Sequence, residues 1–419
     1  MTYEIPKADE IHQECCLTLD AADPLAVWRD EFVLPEGVAY LDGMSLGALP
    51  KAASTSVTHT VDHQWGQGLV RSWNTAQWID ASRRLGAKIA PLLDVDGDEV
   101  VVADSTSVNL FKLLVAALDL RPDRQVILTE SSNFPTDIYV ARGVERLRGD
   151  VEVKLVPSGK FDEALDHNVA VTLLTHVDFK SSRMHDMAAV TRRVHEFGAL
   201  VLWDLSHSAA AMPIDLRGRD VDLAVGCGYK YLNGGPGAPA YVFVARQHQS
   251  ELDQPITAWM GHARPFDFSV DYAPAKGISR FLSGTPVIVA LAAMEASLDI
   301  WSQVNLPTVR EKSMAMSEFF IRIVERRLIF AAVRLATPRD STQRGSHIGF
   351  HHPQGYAVMQ ALIERDVIGD FREPDLMRFG FAPLYLSFAD VWRAATILAE
   401  VVETRAWDQL RCRRRETVT

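Results

Sequence analysis

The chain has 419 residues, 47% hydrophobic and 23% charged, with 25 glycines and 20 prolines. At about 100–200 residues per domain, this leaves room for a large core and more than one domain of ordinary soluble composition. A formal net charge of -11 argues against a general binder of nucleic acid or acidic membrane, partners that select a cationic face.

The opening stretch MTYEIPKADEIHQECC is acidic and polar, without the basic start and apolar core of a signal peptide. No apolar run nears the roughly 18 residues of a membrane span, so a cytoplasmic location is expected. The four cysteines are Cys15, Cys16, Cys227 and Cys412. They form no CxxC, and adjacent Cys15 and Cys16 are poorly placed to bridge each other, so neither a disulfide framework nor a zinc knuckle is indicated.

From about residue 98 the chain alternates short β-branched runs with helical patterns. DEVVVADS reads as a strand, SVNLFKLLVAALDL as a helix and RQVILTES as a strand. NVAVTLLTHVDF (strand), AAVTRRVHEFG (helix), ALVLWDLSHS (strand), VDLAVGCG (strand) and PAYVFVA (strand) follow. Continuous apolar strands separated by helices predict an α/β fold with a mainly parallel sheet covered on both faces. Beyond about residue 285 the helical stretches PVIVALAAMEASLDIWSQ and SMAMSEFFIRIVERRL lead into shorter strands such as SHIGFHH. That shift predicts a smaller α+β domain. The expected division is an N-terminal segment over 1–45 that packs on the small domain or lines the site, a large domain over 46–300 and a small domain over 301–419. The basic RCRRRE near the end reads as a solvated helix end.

In an open parallel sheet, ligands bind beyond the carboxyl ends of the strands. Polar residues collect at those ends. VVVADSTS ends in Asp104, Ser105, Thr106 and Ser107 and passes into a helix, a combination suited to an anion or to simple capping. VILTESSNFPTD supplies Phe134 and Asp137, and THVDF offers Thr175. ALVLWDLSHS ends in Asp204 and His207, an acid able to face a cationic ring nitrogen. The strand before the glycine-rich loop delivers Tyr229 and Lys230, and a lysine desolvated in a cleft is an amine that can form a Schiff base. Phosphate site, ring-facing acid, stacking aromatic and Schiff-base lysine together describe a pyridoxal phosphate site.

Competing motifs fail. GCGYKY has Tyr231 where a dinucleotide fingerprint needs its third glycine, no Walker stretch exists, and there is no HExxH. The 13 histidines show no ligand spacing. His176, His185 and His207 can still meet in space, but no metal is expected, and the paired histidines of RGSHIGFHH read as solvated on a strand end.

At these residues the chain resembles kynureninase, a fold-type I pyridoxal phosphate enzyme with a mainly parallel seven-stranded sheet and a smaller α+β domain. The stretches that carry the likeness include YLDGMSLGALP, WGQGLVRSW, DSTSVNLFK, SNFPTD, WDLSHSAA, GCGYKYLNGGPG, GHARPF, GISRFLSGTP, RGSHIGFHHPQGYAV and VIGDFREPDLMRFGFAPLY. They run in family order over nearly the whole chain. The resemblance implies that Lys230 carries the cofactor, that Asp204 pairs with its ring nitrogen and that Phe134 stacks on the ring. It also implies that Thr106, Ser107, Tyr229, Trp259 and Thr285 surround the phosphate, with Asp137, Thr175 and His207 lining the cofactor. Arg378 is implied as the clamp for a substrate carboxylate, a planar fork suited to that anion, and Trp65 and Ser45 as contacts for the substrate's aryl end. Tyr229 is the implied acid/base near the substrate carbonyl, with a plain phosphate ligand as the alternative. The implied assembly is a homodimer in which Trp259 and Thr285 reach the neighbour's site. The implied reaction is hydrolysis of the Cβ–Cγ bond of L-kynurenine, or of ring-substituted kynurenines, to anthranilate and L-alanine. Met44 stands where the family carries Asn, Gly228 where it carries Thr or Ser, and Arg183 lies in a run more charged than usual. Met44 and Arg183 bear on substrate preference, and Gly228 is expected to loosen the backbone beside Lys230. The alternatives are another reaction of the fold, such as a cysteine desulfurase or aminotransferase, or a non-catalytic homologue. A desulfurase needs a mobile cysteine, and Cys227 sits on a buried strand three residues before Lys230.

Overall fold

The structure is a computed structural model that describes residues 3–7, 10–328 and 332–415. Its large sheet contains β1 (Val100–Val102), β2 (Val126–Glu130), β3 (Glu152–Val156), β4 (Val169–Thr175), β5 (Leu200–Asp204), β6 (Leu223–Gly226) and β7 (Tyr241–Val244). The strand order is β1-β7-β6-β5-β4-β2-β3. β7 runs antiparallel to both neighbours, and the pairs from β6 to β3 are parallel. The apolar run PAYVFVA carries no mark of that reversal. Nor does the sequence advertise β3, because its edge position leaves Glu152 and Leu155 exposed and breaks the continuous apolar run.

Strand alternation builds the core on both faces. Leu200 and Leu202 of β5 pack with Leu110, Leu113 and Ala117 of the helix Thr106–Leu120, whereas Val201 and Trp203 join Met294 and Leu298 of the helix Ile288–Trp301 on the other side. At about 1.5–3 kcal/mol for each fully buried large apolar side chain, this two-sided burial dominates the sheet's stability. The helix Ala81–Ile89 lies against β1 through Gly86, where a Cβ would come 2.2 Å from the Val100 carbonyl oxygen.

The C-terminal part has an antiparallel sheet of β8 (Arg334–Leu335), β9 (His347–His351), β10 (Asp370–Arg372) and β11 (Leu376–Gly380), ordered β8-β9-β11-β10. The helix Leu306–Arg327 covers it, with the Phe320 ring 4.9 Å from Phe379. The N-terminal segment is bound into this part. Asp20 accepts the backbone N–H groups of Phe388 and Ala389 at the start of the helix Phe388–Glu403, Asp23 pairs with buried Lys312 at 2.6 Å, and Ala39–Tyr40 pairs in parallel with Val367–Ile368.

Two sequence expectations are corrected here. The histidines of RGSHIGFHH are not solvated: His347 is fully buried, His352 is buried, and His351 is half-buried against Asp375 at 2.8 Å. Gly228 does not loosen the chain. A Cβ there would lie 2.4 Å from the Pro239 carbonyl oxygen, so the residue is a point of close backbone packing. The basic run near the end pairs outward, Arg411 with Glu364 and Arg415 with Glu373, and its last residue lies outside the described residues. All four cysteines are free.

Candidate active site

β6 ends at Gly226, and the chain then turns irregularly through Tyr229 and Lys230 into the glycine-rich loop. Asn233, Gly235 and Gly237 adopt positive φ, a region that glycine enters freely and asparagine more easily than most residues. The N-terminal segment presses on this turn: the Gly47 N–H donates to the Tyr229 carbonyl at 2.8 Å, and a Cβ on Gly47 would meet the Lys230 carbonyl oxygen at 2.3 Å. The turn directs the half-buried Lys230 amine inward. Its Nζ lies 3.0 Å from His207 Nε2 and 5.8 Å from the Phe134 ring.

Parallel register brings Asp204 beside Thr175 at the ends of β5 and β4. The Ser206 N–H donates to Asp204 Oδ1 at 2.7 Å. Asp137, in the first turn of the helix Pro135–Arg148, is buried near Asp204, and its Oδ2 has no partner among the described residues. Burial, and next the Asp204 carboxylate, push Asp137 well above the usual carboxylate range. Asp137 is thereby driven toward its protonated form, the direction desolvation and a like charge both impose. Asn133 orders this corner: its Oδ1 accepts from Thr175 Oγ1 and from the Phe134 N–H, and its Nδ2 donates to Thr129 Oγ1. His207 is buried, and burial followed by the Lys230 charge holds its pKa well below the usual value. Neutral His207 thus accepts from Lys230, while its Nδ1 has no partner among the described residues.

Ser105 caps the helix Thr106–Leu120 by accepting the Val108 N–H, leaving Thr106 and Ser107 in the first turn, where backbone N–H groups have no intrahelical acceptor. Asp104 does not join them as an anion: its carboxylate is taken by buried Lys112 and by Ser283 Oγ. A cavity of about 430 Å³ lies alongside, lined by Ser105, Tyr229, Met260, Ser283 and Thr285 among others. Burial raises the Tyr229 phenol above its ordinary pKa, so the hydroxyl keeps its proton.

Arg378 on β11 is fully buried. Its Nε donates to Asp370 Oδ1 at 2.7 Å, its Nη2 to Asp370 Oδ2, and its Nη1 to the Phe179 carbonyl. Ser45 Oγ donates to Asp370 Oδ2 at 3.0 Å and lies 3.5 Å from Arg378 Nη2. Asp370 carries no role in the sequence reading; only the pairing of β10 with β11 reveals it as the partner of Arg378.

Other expected residues stand apart. Trp65 is 60% exposed on the helical segment Thr60–Gly68. Trp259 makes edge contacts with Trp73 and Phe266. Met44 is fully buried against Gly380, and Arg183 pairs with Glu130 at 3.2 Å and donates to Ser158 Oγ. His176 and His185 line a different cavity from His207. Among the described residues, no three His, Cys, Asp or Glu side chains converge as a metal site. Cys227 is buried just past β6, with burial raising its thiol pKa.

Residues 309–398 match the kynureninase C-terminal domain. The kynureninase of Pseudomonas fluorescens is 49% identical over 410 residues, covering 96% of this chain and 99% of the relative. The kynureninase of Burkholderia mallei strain SAVP1 is 49% identical over 401 residues, 94% of this chain and 96% of the relative. The chain belongs to the kynureninase family.

Solved structures agree on the fold. A C-DES variant with glycine covalently linked to its PLP cofactor aligns with a TM-score of 0.75 at 17% identity, over 89% of this chain and 99% of that one. An apo cysteine desulfurase from Thermococcus onnurineus NA1 aligns at 0.73 and 17%, over 90% and 98%. These establish the fold-type I architecture. The kynureninase-family site suits pyridoxal phosphate on its own chemistry: an inward lysine amine, two neighbouring buried carboxyl side chains, an aromatic face, and a helix N-terminus beside Tyr229.

Proposed function

We propose that the chain is a kynureninase that uses pyridoxal phosphate to hydrolyse the Cβ–Cγ bond of L-kynurenine, yielding anthranilate and L-alanine. The observation that carries this reading is the 49% identity to a kynureninase across 96% of the chain, because the fold by itself serves many reactions.

Pyridoxal phosphate, when bound, supplies the electron sink that labilises bonds at the substrate's α-carbon. Lys230 would hold it covalently and is the amine placed to carry the α-proton. Neutral His207 orients that amine from 3.0 Å. Asp204, beside Thr175 at the strand ends, is the carboxylate that would face a cationic ring nitrogen. Phe134 supplies an apolar ring face, with Thr175 beside the carboxyl pair. The first turn at Thr106 and Ser107, together with Tyr229, is suited to a phosphate. The Tyr229 hydroxyl, protonated through burial, is the group for proton transfer at the substrate carbonyl. Arg378, steadied by Asp370, is the fork for the substrate carboxylate, with Ser45 at its edge.

The assembly is a homodimer with shared sites, in which Trp259 and Thr285 serve the neighbour's phosphate and Trp65 its substrate. Exposure of Trp65, Val70, Phe268 and Val270 supports a covering second copy. The partner is a small molecule, with no role for nucleic acid or membrane, and the location is cytoplasmic. No helix among the described residues is long and apolar enough to cross a membrane.

The test is direct. Purified protein should show a visible cofactor band that borohydride or Lys230→Ala abolishes, and L-kynurenine should yield fluorescent anthranilate. Intact cofactor without anthranilate would overturn the assignment.

A further inference from the structure

A second, partly open polar cavity lies on the other side of the strand ends. Thr175 and Asp204 join the Lys230 cleft, and strand alternation sends the adjacent His176 and Trp203 the opposite way. Their rings meet edge-on at 5.9 Å. Beside them is a cavity of about 450 Å³, lined by His176, His185, Met212, Arg219, Arg310 and Gln343 among others. It separates the strand ends of the large sheet from the helix Leu306–Arg327, which contributes Arg310.

The cavity holds more positive charge than its surroundings neutralise. Arg310 Nη2 donates to the carbonyls of Ser341 (2.9 Å) and Arg344 (2.6 Å), while its buried Nη1 has no partner among the described residues. Half-buried Arg219 makes no hydrogen bond or ion pair among the described residues. His176 is 2% exposed, and its Nδ1 is likewise unpartnered. Buried cations are normally matched by carboxylates, because an unpaired charge is costly to desolvate. Of the nearby carboxylates, Asp186 lines the cavity and offsets only one of the two guanidinium charges, and Glu130 is turned to other donors. Asp186 accepts the Ala189 N–H at 3.0 Å, and Glu130 sits behind His185 at 3.5 Å, taking Arg183 and the Gly159 N–H. Burial, then the charges of Arg219, His185 and Arg310, hold His176 down at about 3, which agrees with a local excess of positive charge.

We propose that this cavity binds a small divalent oxyanion, inorganic phosphate or a short dicarboxylate, between Arg219, Arg310 Nη1 and His176 Nδ1. One anion would give each of these unpartnered groups an acceptor and tie the large sheet to the helix Leu306–Arg327. The geometry suits a compact anion with oxygens pointing in several directions, and guanidinium forks bind such oxygens well.

The experiment titrates the cofactor-loaded protein with phosphate, and separately with malonate, against a chloride background at constant ionic strength. Binding is read by calorimetry and by the shift in melting temperature. The expected result is saturable binding of one anion per chain with a raised melting temperature. Arg219→Gln, at a half-exposed position, should weaken binding at least tenfold while leaving the cofactor spectrum unchanged, and Arg310→Gln should do the same. Arg378→Gln, which removes the proposed carboxylate clamp, should leave the affinity within twofold. Absence of saturable binding, equal affinity in Arg219→Gln, or loss confined to Arg378→Gln would each overturn the proposal.

Discussion

Replacing Asp42 by Asn should stabilise the protein, and by more at alkaline than at acidic pH. Asp42 follows the Ala39–Tyr40 strand and is half-buried, and its Oδ1, which is buried, has no partner among the described residues. Burial, and next the Asp370 carboxylate, raise it from 3.8 to about 7. Asp370, held by Arg378 and Arg372, stays ionised, so Asp42 takes the proton of this pair. The sign follows from linkage. Below 3.8 both folded and unfolded chains hold the proton, and no penalty exists. Between 3.8 and about 7 the unfolded chain releases it first, so stability falls as pH rises, and above about 7 the full penalty applies. At about 1.36 kcal/mol per pH unit, the penalty is about 1–2 kcal/mol at about pH 5 and about 4 kcal/mol at about pH 8. Asn keeps the shape without the charge, so Asp42→Asn should recover amounts of that order at each pH. The assay is guanidinium denaturation of the cofactor-loaded protein and the variant at both pH values. Comparing the variant with the parent at each pH cancels the titration of every other group. A gain that is the same at both pH values would refute the reasoning, as would a destabilised variant at about pH 8.

Arg378→Lys removes the bidentate fork and should lower kcat/KM on kynurenine about 10–100-fold, mainly through KM, as loss of a charge-assisted pair worth about 1.5–3 kcal/mol implies. Steady-state kinetics check this; a drop in kcat at unchanged KM contradicts the clamp. Gly86→Ala forces a Cβ to within 2.2 Å of the Val100 carbonyl oxygen and should cost about 1–3 kcal/mol by overpacking, seen as a lowered denaturation midpoint with the cofactor spectrum retained. Lys312→Met leaves Asp23 buried without its 2.6 Å partner and should cost about 3–5 kcal/mol. Double replacement with Asp23→Asn should recover much of that loss.

Motifs read along the chain find residues whose job depends on their neighbours in sequence. Lys230 stands out because an apolar strand runs into it and a glycine-rich loop follows, and Asp204 because an apolar strand ends on it. Phe134 and Asp137 share one loop and helix start, so a single short motif carries both. Partnerships across the chain leave no such mark. Asp370 is eight residues from Arg378, but only hairpin register makes it that arginine's ion partner. Asp42 meets the same cluster from the far end of the chain. His347 carries no role in the sequence reading, and its ring lies 5.2 Å from that of His207 in the core. Trp65, expected at the substrate, sits on the surface of this chain because its helical segment faces outward.

Sequence alone determined the family and which polar residues stand at the strand ends, since the strand-to-loop transitions and local motifs are contiguous and survive without coordinates. Tertiary structure decided which buried acids are pushed toward their protonated form, which direction β7 runs, and where unpaired cations collect. Those depend on desolvation and on distances between residues far apart in the chain, and neither quantity is written in the order of amino acids.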